Sequence, residues 1–271
     1  MRIIKRLFSF GARALIGSIT HVATEHPVVA LTFDDGPDSH YTPRLLDILE
    51  KHQARATFFM IGEVAQKHPE LLERIAQAGH AIGNHSWDHP SFPLISGRER
   101  RSQIRACATA VAPYGERLFR PPYCHQGLMS RLDPLLLGYR VIMFSVATDD
   151  WCGEGAASIA HHLERRIRPG SVIVLHDRLS HALEEAHFNR EPVLEAVEIL
   201  LQRLDKQFRF VTIPELLRYG KAQKEIWYQE PALELLNNFR GPTGPARKYA
   251  QNGRSKWVAH LLSLLVEIPS R

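Results

Sequence analysis

The chain has 271 residues, of which 44% are hydrophobic and 23% are charged. This mixture is that of an ordinary globular protein, and it excludes a disordered chain and a bundle of membrane-spanning helices. The formal net charge of +5 comes from basic residues spread along the chain, and such a pattern indicates no nucleic-acid partner.

From about residue 27, short apolar strands alternate with amphipathic helices. Strands are predicted at 28–33, 57–61, 81–83, in the segment ending at 119, and at 140–146, 171–175 and 210–213. Helices are predicted at 42–52, 63–78, 96–112, 156–167 and 192–208, and after Pro214. This alternation is typical of βα units, so the sequence predicts an α/β fold with a parallel sheet or barrel.

The alternation divides the chain into a basic and apolar extension at 1–26, a central unit at 27–218 and a C-terminal extension at 219–271. Two Gly-Pro pairs at 241–245 mark an irregular linker, and an amphipathic segment follows at 256–266. The basic residues near both ends suit either a peripheral membrane contact or simple exposure to solvent.

The first residues resemble the start of a signal peptide, but Arg13 interrupts the apolar stretch and no cleavage site of small residues follows. The three cysteines are too few, and odd in number, for a disulfide framework. These features favour a cytoplasmic or membrane-peripheral location and leave secretion as an alternative.

Polar side chains suited to catalysis follow the predicted strands. They are Asp34, Asp35, His85, His89, Arg120, Asp149, Asp150 and His176. Because the carboxyl ends of parallel barrel strands form one rim, residues that are distant in sequence become neighbours there. The sequence therefore predicts an active site at this rim.

His85 and His89 are four residues apart, so a helical turn or a tight loop could direct both at one ion. A lone pair of this kind is weak evidence. Asp34 and Asp35 offer one anionic ligand and one proton acceptor, although an Asp-Gly pair is also common in ordinary turns. Two adjacent carboxylates are costly unless a cation compensates them, so the two motifs together predict a divalent metal site.

The segment Arg120-Pro121-Pro122-Tyr123 can be a rigid polyproline turn, or a stiff frame that aims a backbone N–H at an oxyanion. His176 can be a core histidine at the end of a strand or, beside a metal site, the proton donor to a leaving group. The residues alone leave both alternatives open.

Five motifs occur in the order and approximate spacing of the polysaccharide deacetylase family, the NodB-homology carbohydrate esterases, which the chain resembles over roughly residues 27 to 217. The motifs are Thr32-Phe33-Asp34-Asp35-Gly36, His85-Ser86-Trp87-Asp88-His89, Arg120-Pro121-Pro122-Tyr123, Asp150-Trp151 and Leu175-His176. The resemblance implies a distorted (β/α) barrel at 27–218. It also implies a hydrolase that removes acetyl or related N-acyl groups from amino sugars or polysaccharides.

The resemblance implies a role for each matching residue. Asp35, His85 and His89 would bind a divalent metal, which is usually zinc in the family. Asp34 would be the general base that takes a proton from the attacking water. Arg120 would orient Asp34 and hold down its pKa.

The resemblance also assigns the groups around the acyl carbon. The Tyr123 backbone N–H would stabilise the tetrahedral oxyanion together with the metal. His176 would protonate the departing amine, because a bare amide anion is a very poor leaving group. Trp151 would line the pocket near the acyl methyl group, and the other substrate-binding residues would be Asp150, Pro121 and Pro122.

Two residues depart from the family pattern. Ala147 stands where the family often has a first carboxylate that is thought to tune the histidine matching His176, so another acid such as Asp149 or Asp177 would have to substitute. Cys124 replaces a glycine that commonly ends the third motif. These departures leave two alternatives open, namely an O-acetyl sugar esterase and a carbohydrate-binding barrel without turnover.

Overall fold

The computed structural model describes residues 15–182 and 184–227. The basic residues of the first 13 positions, the Gly-Pro linker and the amphipathic segment at 256–266 lie outside the described residues. Within the described part of the chain, no helix combines the length and the apolar character needed to cross a membrane.

A parallel sheet is the frame of the described residues. The strands are β1 (Ser18–Ala23), β2 (Val28–Asp34), β3 (Ala56–Met60), β4 (Ala81–Asn84), β5 (Gly115–Phe119), β6 (Arg140–Val141), β7 (Val172–His176), β8 (Arg209–Phe210) and β9 (Lys221–Glu225). Seven of them form one sheet in the order β6-β5-β4-β3-β2-β7, with β8 paired to the start of β2. Every pair in this sheet is parallel, as the alternation predicts.

The segment after β6 closes this sheet into a distorted barrel. Ser145 and Val146 donate their N–H groups to the Val172 carbonyl at 2.9 and 3.1 Å, and Val174 donates to the Val146 carbonyl at 3.0 Å. The predicted distorted (β/α) barrel is confirmed. The strand predicted at 140–146 is shorter than expected, because its second half leaves β5 to reach β7 and makes only these irregular bonds.

Helices connect the strands. They are α1 (Tyr41–Lys51), α2 (Gly62–Ala65), α3 (Pro69–Gln77), α4 (Gly97–Ala110), α5 (Leu128–Leu136), α6 (Ala156–Arg166), α7 (Glu191–Leu204) and α8 (Ile213–Leu216). The single helix predicted at 63–78 is divided into α2 and α3. The cause is Pro69, which has no N–H to donate and disfavours the helical conformation at His68.

The helices and the sheet share a buried apolar core. The strand β2 is buried along its whole length, as its nearly continuous apolar sequence predicts for a strand covered on both faces. The predicted apolar stripe of α7 is buried as well, at Leu194, Val197, Leu200, Leu201 and Leu204. Because β2 is central and packed on both sides, the residues that follow it have a well-defined place.

Two strands lie outside the range 27–218 that the alternation predicts for the central unit. β1 and β9 form an antiparallel ribbon. β1 also joins the barrel, because the Ile19 carbonyl accepts the Met143 N–H at 2.7 Å and Val22 donates to the Gly170 carbonyl at 2.9 Å. The ordered structure therefore extends beyond both ends of the predicted range.

Candidate active site

The carboxyl ends of the strands lie along one edge of the barrel. β2 ends at Asp34, β4 at Asn84, β5 at Phe119 and β7 at His176. In the parallel pairing, Asp34 lies beside His176 and Asn84 lies beside Phe119. The side chains at and just after these positions therefore converge on one site.

Asp35, His85 and His89 meet in a buried cluster. The Oδ1 atom of Asp35 lies 3.3 Å from Nε2 of His85 and 3.1 Å from Nε2 of His89, and the two Nε2 atoms are 3.2 Å apart. Oδ1 of Asp35 has no hydrogen-bond partner among the described residues. An orphaned buried carboxylate oxygen that faces two imidazole nitrogens is an arrangement that a cation completes, and this donor set suits zinc.

The protonation of these groups fits metal binding. Nδ1 of His85 lies 2.8 Å from the Arg120 carbonyl, which can only accept, so Nδ1 carries the proton and Nε2 keeps its lone pair. Burial lowers the pKa of His89, which favours its neutral form. Burial opposes ionisation of Asp35, but the two neighbouring imidazoles hold the pKa of its carboxyl well below the usual range.

A tight loop, not a helical turn, directs the two histidines. Ser86 and His89 have φ values of +72° and +60°, a region that residues other than glycine rarely adopt. The Ser86 hydroxyl accepts the His89 N–H at 3.1 Å, and the Asn84 side chain accepts the Ser86 N–H at 2.9 Å. These bonds hold the strained loop so that both imidazoles point to one place.

Ser180 contacts two residues of the cluster and was not identified from the sequence. Its N–H donates to Oδ2 of Asp35 at 2.8 Å, and its hydroxyl lies 2.9 Å from Nδ1 of His89. With Nε2 of His89 facing Asp35, the Nδ1–H group donates to this hydroxyl. A serine in the loop after β7 looks like any loop residue, and its position at the rim was the only sequence signal.

The buried Arg120 holds the Asp34 carboxylate. Its Nη1 donates to Oδ1 of Asp34 and to the Thr32 hydroxyl, each at 2.7 Å. Its Nε and Nη2 donate to the carbonyls of Ile142 and Met143 at 3.3 and 3.2 Å. Because all three nitrogens are engaged, the guanidinium has a fixed plane, and Asp34 is fixed with it.

His176 is paired with Asp150. Its Nδ1 lies 3.0 Å from Oδ1 of Asp150, and its backbone N–H donates to Oδ2 at 3.0 Å. Burial would lower the pKa of His176, but the Asp150 carboxylate outweighs this effect and raises it to about 9. His176 is therefore protonated at neutral pH and able to give a proton away.

This pairing corrects two expectations from the sequence. Asp150 was expected to contact the substrate, but only 2% of its surface is exposed and its carboxylate faces His176. Ala147 was expected to leave His176 without its acid unless Asp149 or Asp177 substituted, whereas the carboxylate that contacts His176 is that of Asp150. Asp177 instead accepts a hydrogen bond from the Thr42 hydroxyl.

Tyr123 lies over the cluster formed by Asp35, His85 and His89. Its φ of +54° is another strained value at the site. Its ring packs on His89 with 4.4 Å between centroids, and its hydroxyl lies 3.1 Å from Nδ1 of His181. The exposed His181 therefore lies at the edge of the site.

The residues that flank Tyr123 in this turn have a structural role. Pro121 and Pro122, expected to bind substrate, are both buried and so present little surface to a ligand. Burial raises the pKa of the Cys124 thiol to about 12, which favours the protonated thiol over the nucleophilic thiolate. Trp151, by contrast, is 44% exposed and lies on the turn that carries Asp150, beside His176.

Comparisons with known proteins agree with this geometry. A family model for polysaccharide deacetylase matches residues 21–142. A peptidoglycan-N-acetylglucosamine deacetylase of Bacillus cereus is 37% identical over 201 residues, which cover 72% of this chain and 70% of the relative. A chitooligosaccharide deacetylase of Sinorhizobium fredii is 32% identical over 210 residues, covering 73% of this chain and 95% of the relative.

The fold is also that of a solved structure, the Bc1960 peptidoglycan N-acetylglucosamine deacetylase in complex with 4-naphthalen-1-yl-N-oxidanyl-benzamide. The TM-score is 0.70 at 31% identity, and the match covers 80% of this chain and 99% of that one. With a matching family model, relatives similar over most of their length and the same barrel, the chain belongs to the polysaccharide deacetylase family.

Proposed function

We propose that this protein is a metal-dependent deacetylase that removes the N-acetyl group from an amino sugar of a polysaccharide. The proposal rests on one observation. Three potential metal ligands lie at the same rim as two separate groups suited to proton transfer, Asp34 and His176. The substrate class is supported by the relatives, whose names specify peptidoglycan N-acetylglucosamine and chitooligosaccharide.

Asp35, His85 and His89 would hold the metal, and zinc suits two imidazoles and one carboxylate. A divalent ion bound there supplies Lewis acidity, which makes water more acidic and polarises an acyl carbonyl. The contacts of Ser180 and of the Arg120 carbonyl keep the ligands oriented whether or not a substrate is present.

Asp34 would take the proton of the attacking water. One of its oxygens is held by Arg120 at 2.7 Å, which sets the direction of the other. The new C–O bond forms at the acyl carbon, and the Tyr123 backbone N–H would donate to the oxyanion that develops. Trp151 would line the pocket beside the acyl methyl group.

His176 would complete the reaction by giving its proton to the amine nitrogen as the C–N bond breaks, so that acetate and a free amine leave. Its pKa of about 9 keeps it protonated at neutral pH. The Asp150 carboxylate, bonded to Nδ1, leaves Nε2–H as the group that can reach a substrate. Cleavage of an amide requires a fixed, protonated acid more than cleavage of an ester does, because the amine is the poorer leaving group.

The test is acetate release by the zinc-loaded protein on peptidoglycan, chito-oligosaccharides and acetyl-xylan. We expect turnover on the N-acetylated substrates and little on acetyl-xylan. Faster release from acetyl-xylan would instead favour the O-acetyl esterase, and binding without release of acetate would favour the silent sugar-binding barrel. The contact between Asp150 and His176 supports turnover over this last alternative.

Two variants test the roles. We expect Asp34→Asn to keep its metal but to lose activity by about a hundredfold or more, as for the loss of a general base. We expect His85→Ala to lose both metal and activity. The exposed His161 on α6 offers a matched control, since His161→Ala should keep both. Wild-type turnover by the first variant, or stoichiometric zinc in the second, would contradict these assignments.

A further inference from the structure

Arg190 ties together two short turns on the His176 side of the site. The residue precedes α7, and only 2% of its surface is exposed. Its Nη1 donates to the Asp150 carbonyl at 2.8 Å, and its Nη2 donates to the His187 carbonyl. These carbonyls belong to the 3-10 turns Asp150–Cys152 and Glu185–Phe188, so one guanidinium joins both.

The same guanidinium acts on the carboxylate that holds His176. Nη1 of Arg190 lies 3.7 Å from Oδ2 of Asp150. The two oxygens of that carboxylate face the ring and the backbone N–H of His176, each at 3.0 Å. A chain of direct contacts therefore runs from Arg190 through Asp150 to the imidazole.

The turn that carries Asp150 contacts the second turn through Arg190 and through the His187 ring beside Gly153. A cavity of about 280 Å³ lies against it, lined by residues of both turns and by Arg190. Arg190 itself is well anchored, because its carbonyl accepts the N–H groups of Val193 and Leu194, and both of these residues are buried in α7. The buried start of α7 therefore gives the guanidinium a fixed base from which to hold the turn that carries Asp150.

We propose that Arg190 is a positioning residue for the proton donor His176, acting through Asp150. The inference rests on the proposed deacetylase function. The positioning role requires arginine, because two carbonyls on different turns need two N–H groups in one rigid plane. The single ammonium of lysine does not offer this geometry.

The test compares substrates that need an acid with one that does not. The amine of an N-acetyl sugar must be protonated to leave, whereas the phenolate of 4-nitrophenyl acetate leaves without a proton. We expect Arg190→Met to lower kcat on the N-acetyl substrate by about tenfold or more, and the ester rate by less than about twofold, with KM and zinc content unchanged. The kcat of Arg190→Lys on the N-acetyl substrate should lie between those of Arg190→Met and the wild type.

Arg131→Met is the matched control. Arg131 is also buried, at 1% exposure, and also donates to backbone carbonyls, those of Ile16 and Trp227. We expect this variant to unfold at a lower temperature but to keep the wild-type ratio of amide to ester rates. A purely structural role of Arg190 would make the two variants behave alike.

Chemical rescue gives a readout that does not depend on the ester. Arg190→Ala enlarges the cavity beside Asp150, so millimolar methylguanidinium should restore part of the amide activity and methylammonium should not. Equal losses on both substrates, an unchanged amide rate, or the absence of rescue would overturn the proposal. A wild-type protein inactive on every N-acetyl sugar would overturn the proposed function as well, so the two failures are distinguishable.

Discussion

Each metal-type ligand is oriented by a second residue. The Arg120 carbonyl sets the tautomer of His85, and Ser180 contacts both Asp35 and His89. These contacts direct the imidazoles and the carboxylate at the same point before a metal binds. Metal binding therefore requires no further reorganisation of the ligands. Ligand identity alone therefore understates what the site needs.

We expect Ser180→Ala to weaken zinc binding by about tenfold, because the lost hydroxyl orients the His89 ring while the backbone N–H to Asp35 remains. Zinc affinity can be measured by competition with a chromophoric chelator. Ser102→Ala, at an exposed position on α4, serves as the control. An affinity equal to that of the wild type in the Ser180 variant would mean that the loop alone orients His89.

The glycine of the Asp-Asp-Gly motif shows why one residue type is required at the same rim. A Cβ atom on Gly36 would lie 2.6 Å from the carboxylate oxygens of Asp177, which is far inside van der Waals contact. Asp177 directly follows His176, so the loops after β2 and β7 approach each other closely here. This close approach brings the Asp35 loop towards the strand end that carries His176.

At the scale of elements, adjacent strands are joined by side chains as well as by the ladder. His80, just before β4, accepts the N–H of Ala56 at the start of β3 through its Nδ1, at 3.1 Å. Accepting this bond requires the neutral imidazole. Burial, with a smaller effect of Arg55, lowers the pKa of His80 to about 4.

This depressed pKa makes the free energy of unfolding depend on pH. Above the unfolded value of about 6.5 the group is neutral in both states, so its stabilising contribution is complete. As the pH falls from about 6.5 to about 4, the unfolded chain takes up a proton that the folded chain refuses, and up to about 3 kcal/mol is lost.

We therefore expect His80→Gln, which stays neutral, to lose less stability than the wild type between about pH 7.5 and about pH 5. Urea unfolding at both pH values measures the difference, and comparison with the wild type cancels the contribution of the metal ligands. His161→Gln, exposed on α6, should follow the wild type. An identical pH dependence in the His80 variant would show that this histidine does not titrate in the window.

At the scale of the whole molecule, β1 joins the barrel from before the predicted central unit, and β9, from after it, pairs with β1. Ile19 and Val22 of β1 are 3% and 1% exposed and pack in the same apolar cluster as Ile142 and Leu216. This ribbon therefore covers part of the barrel core.

We propose that residues 15–227, and not 27–218, are the folding unit. A fragment of 27–218 would expose the surfaces that Ile19 and Val22 cover, at a cost of about 3–6 kcal/mol, which is a large part of a typical stability of about 5–15 kcal/mol. We expect the shorter fragment to be insoluble or to melt far below the 15–227 fragment in thermal unfolding. Equal unfolding temperatures for the two fragments would support the predicted boundaries of 27–218.

The sequence by itself determined a parallel α/β fold and the residues of its rim, and the resemblance to the family implied the distorted barrel. Apolar strands, helix periodicity and the polar residues after each strand are local features, so the positions of Asp34, Asp35, His85, His89, Arg120 and His176 at one edge could be predicted before any coordinates. Local patterns were less reliable where a strand leaves its neighbour, as after β6, or where the chain has little apolar signal, as in β9.

Only the tertiary structure decided which polar groups touch. Asp150 is 26 residues from His176 and 40 from Arg190, and Ser180 is 145 residues from Asp35. Nothing local distinguishes an aspartate that faces a substrate from one that holds a histidine, because the difference is the direction of a single buried carboxylate. That direction is set by packing between segments that are distant in the chain, and periodicity in the sequence carries no information about it.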